Sequence, residues 1–468
     1  MRNIVSSLGL LLLTALTSLL QADDFFGEVD TQSDTQSDTQ TSQTQPAQTR
    51  WQLGGYVQQA IAYGIHSPEA PVAREQADFT QFKTTLSLNG QWQANDQLTL
   101  QLAGELNQDW LGALEDQLSY DLSDADRAAR EWQFAWHDSF AEANLGSVWL
   151  RLGYQTVALG ESEMAAIIDV LSPRNNQRPG QANLDDSRLP VPTAKLDLPL
   201  GNSQISALAT YQAGVDLSAA AGAEFDPYLS LRSMGSAIEQ DEPDSNWELA
   251  ILVSTNIAGS DLTLLVADVN SNQAHLAAAT LATVNGEPVL ENNQPVIATI
   301  TTAQDRYQVI GLSANKALGR WLLRSELAYK HQQVTQPSAE NLFSPWPEQN
   351  HWQAMLGFEV NAFSGFTLSA EANSDRARSA DSSDLSLGSR LAWTGLNDRL
   401  TAQILVATLP DDTLQLEHGL MHSSINWRFT DGWHTELTST VYFASNADQA
   451  LYPFKDNDSV ALQVRGAF

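Results

Sequence analysis

Phe82-Lys83-Thr84-Thr85-Leu86-Ser87-Leu88-Asn89-Gly90-Gln91-Trp92, a break at Ala94-Asn95-Asp96, then Gln97-Leu98-Thr99-Leu100-Gln101-Leu102-Ala103-Gly104-Glu105-Leu106-Asn107: this run decides the fold. Phe82, Thr84, Leu86, Leu88, Gly90 and Trp92 fall on one parity, and Lys83, Thr85, Ser87, Asn89 and Gln91 on the other. The second arm repeats the alternation, with Leu98, Leu100, Leu102, Gly104 and Leu106 against Gln97, Thr99, Gln101, Glu105 and Asn107. A period of two places one face in apolar surroundings and the other in water. A β-sandwich alternates in the same way with its apolar face inward, but its strands are usually about 5–6 residues long. These arms run longer, as strands that cross a bilayer must.

The same unit recurs along the chain. Trp247–Asn256 with Asp261–Asn270, Tyr307–Asn315 with Arg320–Lys330, Trp352–Ala362 with Phe366–Asn373, Leu385–Thr394 with Arg399–Thr408 and His418–Phe429 with His434–Ala444 each flank a short turn rich in Gly, Asn or Asp. Such residues supply the backbone that tight hairpins require. Between hairpins lie long polar connections near 65–78, 111–129, 212–246, 271–303, 331–350, 374–383, 409–416 and 446–457. Adding Trp51–Ala60 and spans at 131–142, 147–157, 191–199 and 203–211 predicts an all-β, transmembrane, antiparallel up-and-down β-barrel over 51–468. It has about 18 strands, or about 16 if the spans at 191–199 and 203–211 fail, and short turns alternate with long loops.

The chain ends in one more such strand, with Val460, Leu462, Val464, Gly466 and Phe468 on one parity. A last strand with a terminal Phe resembles the closing strand of bacterial outer-membrane barrels, whose terminal aromatic belongs to the signal read by the barrel assembly machinery. That implies closure against Trp51–Tyr63, with Val460, Leu462, Val464 and Phe468 facing lipid. At the other end, Met1-Arg2-Asn3, an apolar run from Ile4 to Leu20 and Ala22 before Asp23-Asp24 predict a signal peptide over 1–22. Residues 23–50, with Thr31-Gln32-Ser33-Asp34 and Thr35-Gln36-Ser37-Asp38, carry no apolar period and are expected to form a disordered polar linker. Export of this kind places the protein in the bacterial outer membrane, with lipid and lipopolysaccharide as its surroundings.

Composition narrows the function. The chain has no Cys, so disulfides do not hold it together. Its net charge of −32 excludes nucleic acid as a partner. The acidity reads either as solubility and habitat or as a surface that concentrates cations. The mean hydropathy of −0.25 resembles a soluble protein's, but only alternate barrel residues face lipid. The 13 Trp and 10 Tyr suit interfacial girdles or an ordinary core. No Gly-x-Ser-x-Gly elbow, phosphate-binding loop or His-Glu-x-x-His is present, and His418 and His422 are four apart on a strand rather than set for a metal. The expectation is a protein that is not an enzyme and needs no cofactor or metal.

Residues 149–190 break the alternation. They run Trp149-Leu150-Arg151-Leu152-Gly153-Tyr154-Gln155, Leu159-Gly160-Glu161-Ser162-Glu163, Ile167-Ile168-Asp169-Val170-Leu171-Ser172-Pro173-Arg174, and Leu184-Asp185-Asp186-Ser187-Arg188-Leu189-Pro190. This stretch resembles the signature region of a porin-like outer-membrane family, domain of unknown function 1302. That signature has an Arg-x-Gly-x-Gln strand end, a Gly-Glu-x-Asp/Glu turn, Asp-Val-x-x-Pro and Asp-Ser-Arg-x-Pro. Arg151, Gly153, Gln155, Gly160, Glu161, Glu163, Asp169, Val170, Pro173, Asp186, Ser187, Arg188 and Pro190 match it; Leu159 stands where members commonly carry Trp. The resemblance implies a porin-like barrel and, as suggested for members, hydrophobic cargo moved together with an inner-membrane transporter of the resistance-nodulation-division type.

Physically, a charged segment broken by Pro173, Pro179 and Pro190 cannot lie in lipid. It is expected to fold into the lumen, where Glu161, Glu163, Asp169, Arg174, Arg178, Asp185, Asp186 and Arg188 form a constriction. The alternative is that these charges only staple a loop. Two functions follow: a passive channel for small molecules, or a plugged barrel that binds a partner or serves as a surface structure.

Overall fold

In a computed structural model of the protein the alternating segments pair edge to edge into one sheet that closes on itself. The structure describes residues 50–67, 77–117, 122–164, 167–181, 187–211, 213–243, 245–285, 287–291, 294–334, 347–377, 384–410, 416–446, 449 and 451–468. The expected signal peptide and all but the last residue of the expected linker lie outside them.

The barrel spans are β1 (Arg50–Gly64), β2 (Asp78–Asn95), β3 (Leu98–Asp109), β4 in two pieces (Gln133–Trp136 and Ser139–Asn144), β5 (Trp149–Gln155), β6 (Val191–Leu200), β7 (Ser203–Tyr211), β8 (Trp247–Ile257), β9 (Ser260–Asn270), β10 (Arg306–Leu318), β11 (Trp321–Val334), β12 (Glu348–Phe363), β13 (Phe366–Ala377), β14 (Asp384–Gly395), β15 (Leu400–Pro410), β16 (Leu416–Thr430), β17 (Trp433–Ala444) and β18 (Ser459–Ala467). Each pairs antiparallel with the next, and β18 returns to β1 with Leu462 opposite Ile61. The count is eighteen, the larger of the two expected, because β6 and β7 form a regular hairpin from Thr193–Thr210 to Leu200–Ser203.

The short turns adopt the left-handed backbone that their residues suggested. Ala258 and Gly259 have φ of 54° and 75°, and Leu396, Asn397 and Asp398 have 55°, 57° and 60°. Two-residue connections need this geometry to match strand twist. The long connections depart from expectation in detail. β11, β12 and β13 run on to Val334, from Glu348 and to Ala377, into segments read as loop. β4 breaks at His137-Asp138. Beyond the barrel end, Ala237–Gln240, Ile297–Ala303 and His275–Leu281 build a separate three-stranded sheet, in which Ile297-Ala298-Thr299-Ile300-Thr301-Thr302 supplies a β-branched central strand.

The outward parity is apolar and exposed. On β8, Trp247, Leu249 and Ile251 are each more than half exposed, while Glu248, Ala250 and Leu252 between them are buried. Exposed Trp51, Trp321, Phe363 and Trp427 mark the short-turn end, and Tyr63, Tyr211, Trp247 and Trp352 the long-loop end. An apolar belt between two aromatic bands fits a hydrocarbon slab. No described helix is long and apolar enough to cross a membrane, and strands do the crossing here.

The seam is tight. Gly55 and Phe468 exchange both backbone bonds at 3.0 Å, and the Phe468 ring lies over Gly55. A Cβ on Gly55 would stand 2.3 Å from the Ser87 carbonyl oxygen and 3.0 Å from the ring. Gly55→Val is therefore expected to cost about 1–3 kcal/mol or more by overpacking. Cold-loaded gels should show less of the compact, fast-migrating form; an unchanged compact fraction contradicts this account of the seam.

Candidate functional site

The connection from β5 to β6 turns into the barrel, and two wall carboxylates hold it there. Glu326 on β11 is buried and takes four loop N–H groups. Its Oε1 accepts from Glu161 N at 2.5 Å and Ser162 N at 2.9 Å, and its Oε2 from Ile167 N at 2.8 Å and Ile168 N at 3.2 Å. Glu371 on β13 accepts from Glu163 N at 2.9 Å, Met164 N at 3.3 Å and the Ser162 hydroxyl at 2.6 Å. Charged acceptors on backbone donors are among the stronger hydrogen bonds. They satisfy N–H groups that an irregular loop would otherwise bury unpaired. Gly160 makes the approach possible: its φ is +90°, and a Cβ there would stand 2.5 Å from Glu326 Oε1.

Apolar packing fixes the same segment. Val157, Leu159, Ile167, Ile168, Val170 and Leu171 are buried against Leu208, Leu252, Leu265, Val269, Val309 and Met355, which project inward from β7 to β12. Ile168 is seated over Gly311, where an added Cβ would meet its methyl at 2.5 Å. This arc of the lumen is a dry core, although strand alternation predicts polar residues on the inward face.

Past Asp169 the loop crosses to the opposite wall. Asp169 Oδ2 meets Arg188 Nε at 2.7 Å and Arg174 at 3.3 Å, and its Oδ1 accepts from Leu159 N at 3.2 Å. Arg178 donates to the Thr80 carbonyl at 2.8 Å on β2 and lies over the Phe225 ring at 5.7 Å. Tyr442 on β17 donates its hydroxyl to the Pro179 carbonyl. A segment of the β7–β8 connection follows the loop inward: Asp216 accepts from Arg174 N at 2.8 Å, and Leu217-Ser218 pairs with Asn175-Asn176.

The expected site residues thus divide into groups. Asp169, Arg174 and Arg188 come together. Glu161 accepts from Asn315 on β10 at 2.8 Å. Glu163 contacts Arg324 at 2.7 Å and Arg390 at 2.8 Å, and both guanidinium groups also reach Glu359, at 3.1 and 3.4 Å. Burial raises Glu163 above the ordinary carboxylate pKa; the two guanidinium groups oppose this and Glu359 adds to it. Arg178 donates to β2 but borders the same cavity as Glu161, Glu163 and Arg174, and Asp185 and Asp186 lie outside the described residues. The wall partners Arg324, Glu326, Glu359, Glu371 and Arg390 were not singled out in the sequence. Their signal was a charge at an inward parity in the middle of a span.

Two cavities lie between the inward loop and the walls from β10 to β16, the first bordering the dry core through Ile167, Val170 and Tyr307. One of about 400 Å³, at the long-loop end, is lined by Asp169, Arg174, Lys330, Asn373 and Asp375 among others. One of about 620 Å³, toward the short-turn end, is lined by Glu161, Glu163, Arg178, Arg324, Arg390 and His422 among others. Arg174 lines both. His422 bonds Thr440 at 2.9 Å, and no group of three or more metal-ligating side chains occurs among the described residues.

Residues 23–468 match the sequence model of the family described as "Protein of unknown function (DUF1302)". No curated protein sequence is recognisably similar to the chain. Among solved structures, Pseudomonas aeruginosa OccK8 (OprE) aligns with a TM-score of 0.50 at 10% identity, over 89% of this chain and 98% of that one. Pseudomonas aeruginosa OccK9 (OpdG) aligns with a TM-score of 0.51 at 10% identity, over 89% and 97%. These similarities are to outer-membrane porins and concern the fold.

Proposed function

Because this chain belongs to the DUF1302 family, whose description leaves the activity open, we propose from its own geometry that it is a passive outer-membrane channel for small polar solutes. The observation that carries this reading is the stacking of two cavities on one arc of the lumen, with Arg174 bordering both. The loop itself walls both cavities on one side, so solute would pass its Arg174 and then the Glu163–Arg324–Arg390–Glu359 cluster. Residues 1–22 would direct export, 23–50 would be a tether, and Phe468 would present the closing strand to the assembly machinery.

The charged groups facing both cavities favour polar over hydrophobic cargo. Leu265 and Val309 are covered by the loop's own Ile168 and its neighbours, while Leu385 and Leu409 line the long-loop cavity and Leu322, Leu405 and Leu420 the other. Partnership with an inner-membrane transporter rests on the family resemblance and has no further support in the lumen. The plugged-barrel reading draws on the same loop, which reaches from β11 to β17.

Planar-bilayer recording decides between them. Steady single-channel currents are expected, and their complete absence would overturn the channel reading. The charge cluster adds a pH signature. As pH falls through the raised pKa of Glu163, Arg324 and Arg390 face Glu359 alone and the passage gains positive charge. Anion preference, read as the reversal potential in a KCl gradient, should rise on acidification. Glu163→Gln should show it already at neutral pH, with most of the pH dependence gone. An identical pH profile in wild type and variant would remove Glu163 from the passage.

A further inference from the structure

Most outward positions of the barrel are apolar, and Arg376 at the long-loop end of β13 is an exception. It falls on the outward parity with Ala370, Ala372 and Ser374, is exposed, and has no hydrogen bond or ion pair among the described residues. The register sets it opposite Trp352 on β12, and Trp352 opposite Tyr329 on β11, so the three form one lateral row on the lipid side. Trp352 is 54% exposed and belongs to the aromatic band of that end. The row borders a depression of about 660 Å³, lined by Tyr329, Asn350, Trp352, Arg376 and Ala377, with no carboxylate among the described residues. Asn350 is oriented by the Gln332 N–H, 3.2 Å from its Oδ1, which leaves its Nδ2 as a donor. That Nδ2 and the Tyr329 hydroxyl lack a hydrogen-bond partner without being enclosed, and the indole N–H of Trp352 is unpaired as well. A second outward depression, of about 420 Å³, lies on the same wall toward the short turns, bordered by Leu356, Phe358, Ala370, Ala372, Leu387 and Val406. Ala372 stands between Leu356 and Leu387 in the ladder, and its small side chain leaves a groove between them. This groove lies four residues along β12 and β13 from Trp352 and Arg376, roughly 13 Å at the rise of a strand.

We propose that the outer wall from β11 to β15 binds one lipopolysaccharide molecule, with a phosphate on Arg376, Asn350, Tyr329 and Trp352 and an acyl chain in the groove over Ala370 and Ala372. A guanidinium facing lipid is unfavourable among acyl chains, whereas in the headgroup layer it meets anions. Guanidinium and phosphate pair through two parallel hydrogen bonds, and phosphate oxygens accept from the neighbouring amide, hydroxyl and indole. The long loops of such barrels face outward, which places the row in the outer leaflet, where lipopolysaccharide is the anionic lipid. A zwitterionic headgroup would bring an ammonium to a lining that has a cation and no carboxylate. Bulk attraction is not the cause, since a chain of net charge −32 repels anionic lipid except where a cation stands locally. The two depressions together match the two parts of one lipid, a charged head at the aromatic band and a chain below it.

The site lies outside the lumen and stands whether or not the barrel conducts. Lipid-stripped protein in detergent, titrated with diphosphorylated lipid A and followed by native mass spectrometry, should retain one molecule per barrel. Arg376→Gln should weaken retention tenfold or more. Ala372→Phe, which fills the groove and leaves the guanidinium in place, should weaken it at least threefold. Both variants should keep heat-modifiable mobility, because their side chains project away from the lumen and the ladder uses backbone groups. Lipid A should also raise the unfolding midpoint of the wild type and not that of Arg376→Gln, since a ligand stabilises only the state that binds it. Lipid A stripped of its phosphates should bind the wild type at least tenfold more weakly and be indifferent to Arg376→Gln. Equal retention of lipid A by wild type and both variants overturns the site. Phosphatidylglycerol retained as tightly as lipid A overturns the assignment to lipopolysaccharide, and wild-type affinity for the dephosphorylated lipid overturns the phosphate contact.

Discussion

Replacing Glu326 by Ala is expected to raise the single-channel conductance at least twofold while leaving the barrel closed. The carboxylate is 3% exposed and takes four N–H groups from two turns of the inward loop. Without it these donors lose their acceptor, each at about 1–3 kcal/mol if it stays buried. The loop recovers them only by moving into water, away from β11. The ladder between β11 and its neighbours uses backbone groups and is untouched, so heat-modifiable mobility should persist. Glu326→Gln should fall between, because one oxygen remains while the amide nitrogen faces two N–H groups it cannot accept from. Gly160→Val reaches the same clamp without altering the acid, since its φ is +90° and its Cβ would meet Glu326 Oε1 at 2.5 Å. Both variants should also make the 156–190 segment sensitive to protease. Wild-type conductance and protease resistance in both would mean that the clamp does not set the bore.

The barrel was legible because its physics is local. Alternation in β2 and β3 requires only that one face be wet, and the turn residues at Ala258-Gly259 and Leu396-Asn397-Asp398 reveal the hairpins where they stand. The lumen was not legible in the same way, because its contacts join residues far apart in sequence: Glu161 meets Glu326, and Arg178 meets Thr80. One signal of the lumen is local. Leu249-Ala250-Ile251-Leu252-Val253 on β8 and Leu262 to Val269 on β9 are apolar on nearly every position, unlike β2 and β3. Strands covered on both faces read as continuous apolar runs. In a barrel in lipid, such runs mark the arc where something apolar is packed inside. Ile167, Ile168, Val170 and Leu171, the apolar part of the segment that broke the pattern, fill that place. The charged residues of the segment drew the reading toward a ring of opposed charges, while the apolar ones determine where the loop rests.

That distinction predicts a separation between two arginines that share one carboxylate. The Asp169 side chain is 0% exposed and that of Arg188 5%, against 24% for Arg174. Arg188→Met removes the closer ion-pair partner and leaves a buried acid with only the longer pair to Arg174 beside the Leu159 N–H. Breaking a buried pair from one side costs about 3–5 kcal/mol, whereas replacing both members by apolar groups is often close to neutral. Arg188→Met should thus lower the unfolding midpoint of the inward segment sharply, and adding Asp169→Leu should restore much of it. Arg174→Ala should cost far less, because its contact is longer, at 3.3 Å, and its head is partly open to both cavities. Its effect belongs to conduction: removing a positive charge where the two cavities meet should move the reversal potential toward cation preference. If stability and selectivity shift together in both single variants, Asp169 and the two arginines act as one unit. If only Arg188→Met unfolds the segment and only Arg174→Ala changes selectivity, the carboxylate staples the loop through one arginine and sets the charge of the passage through the other.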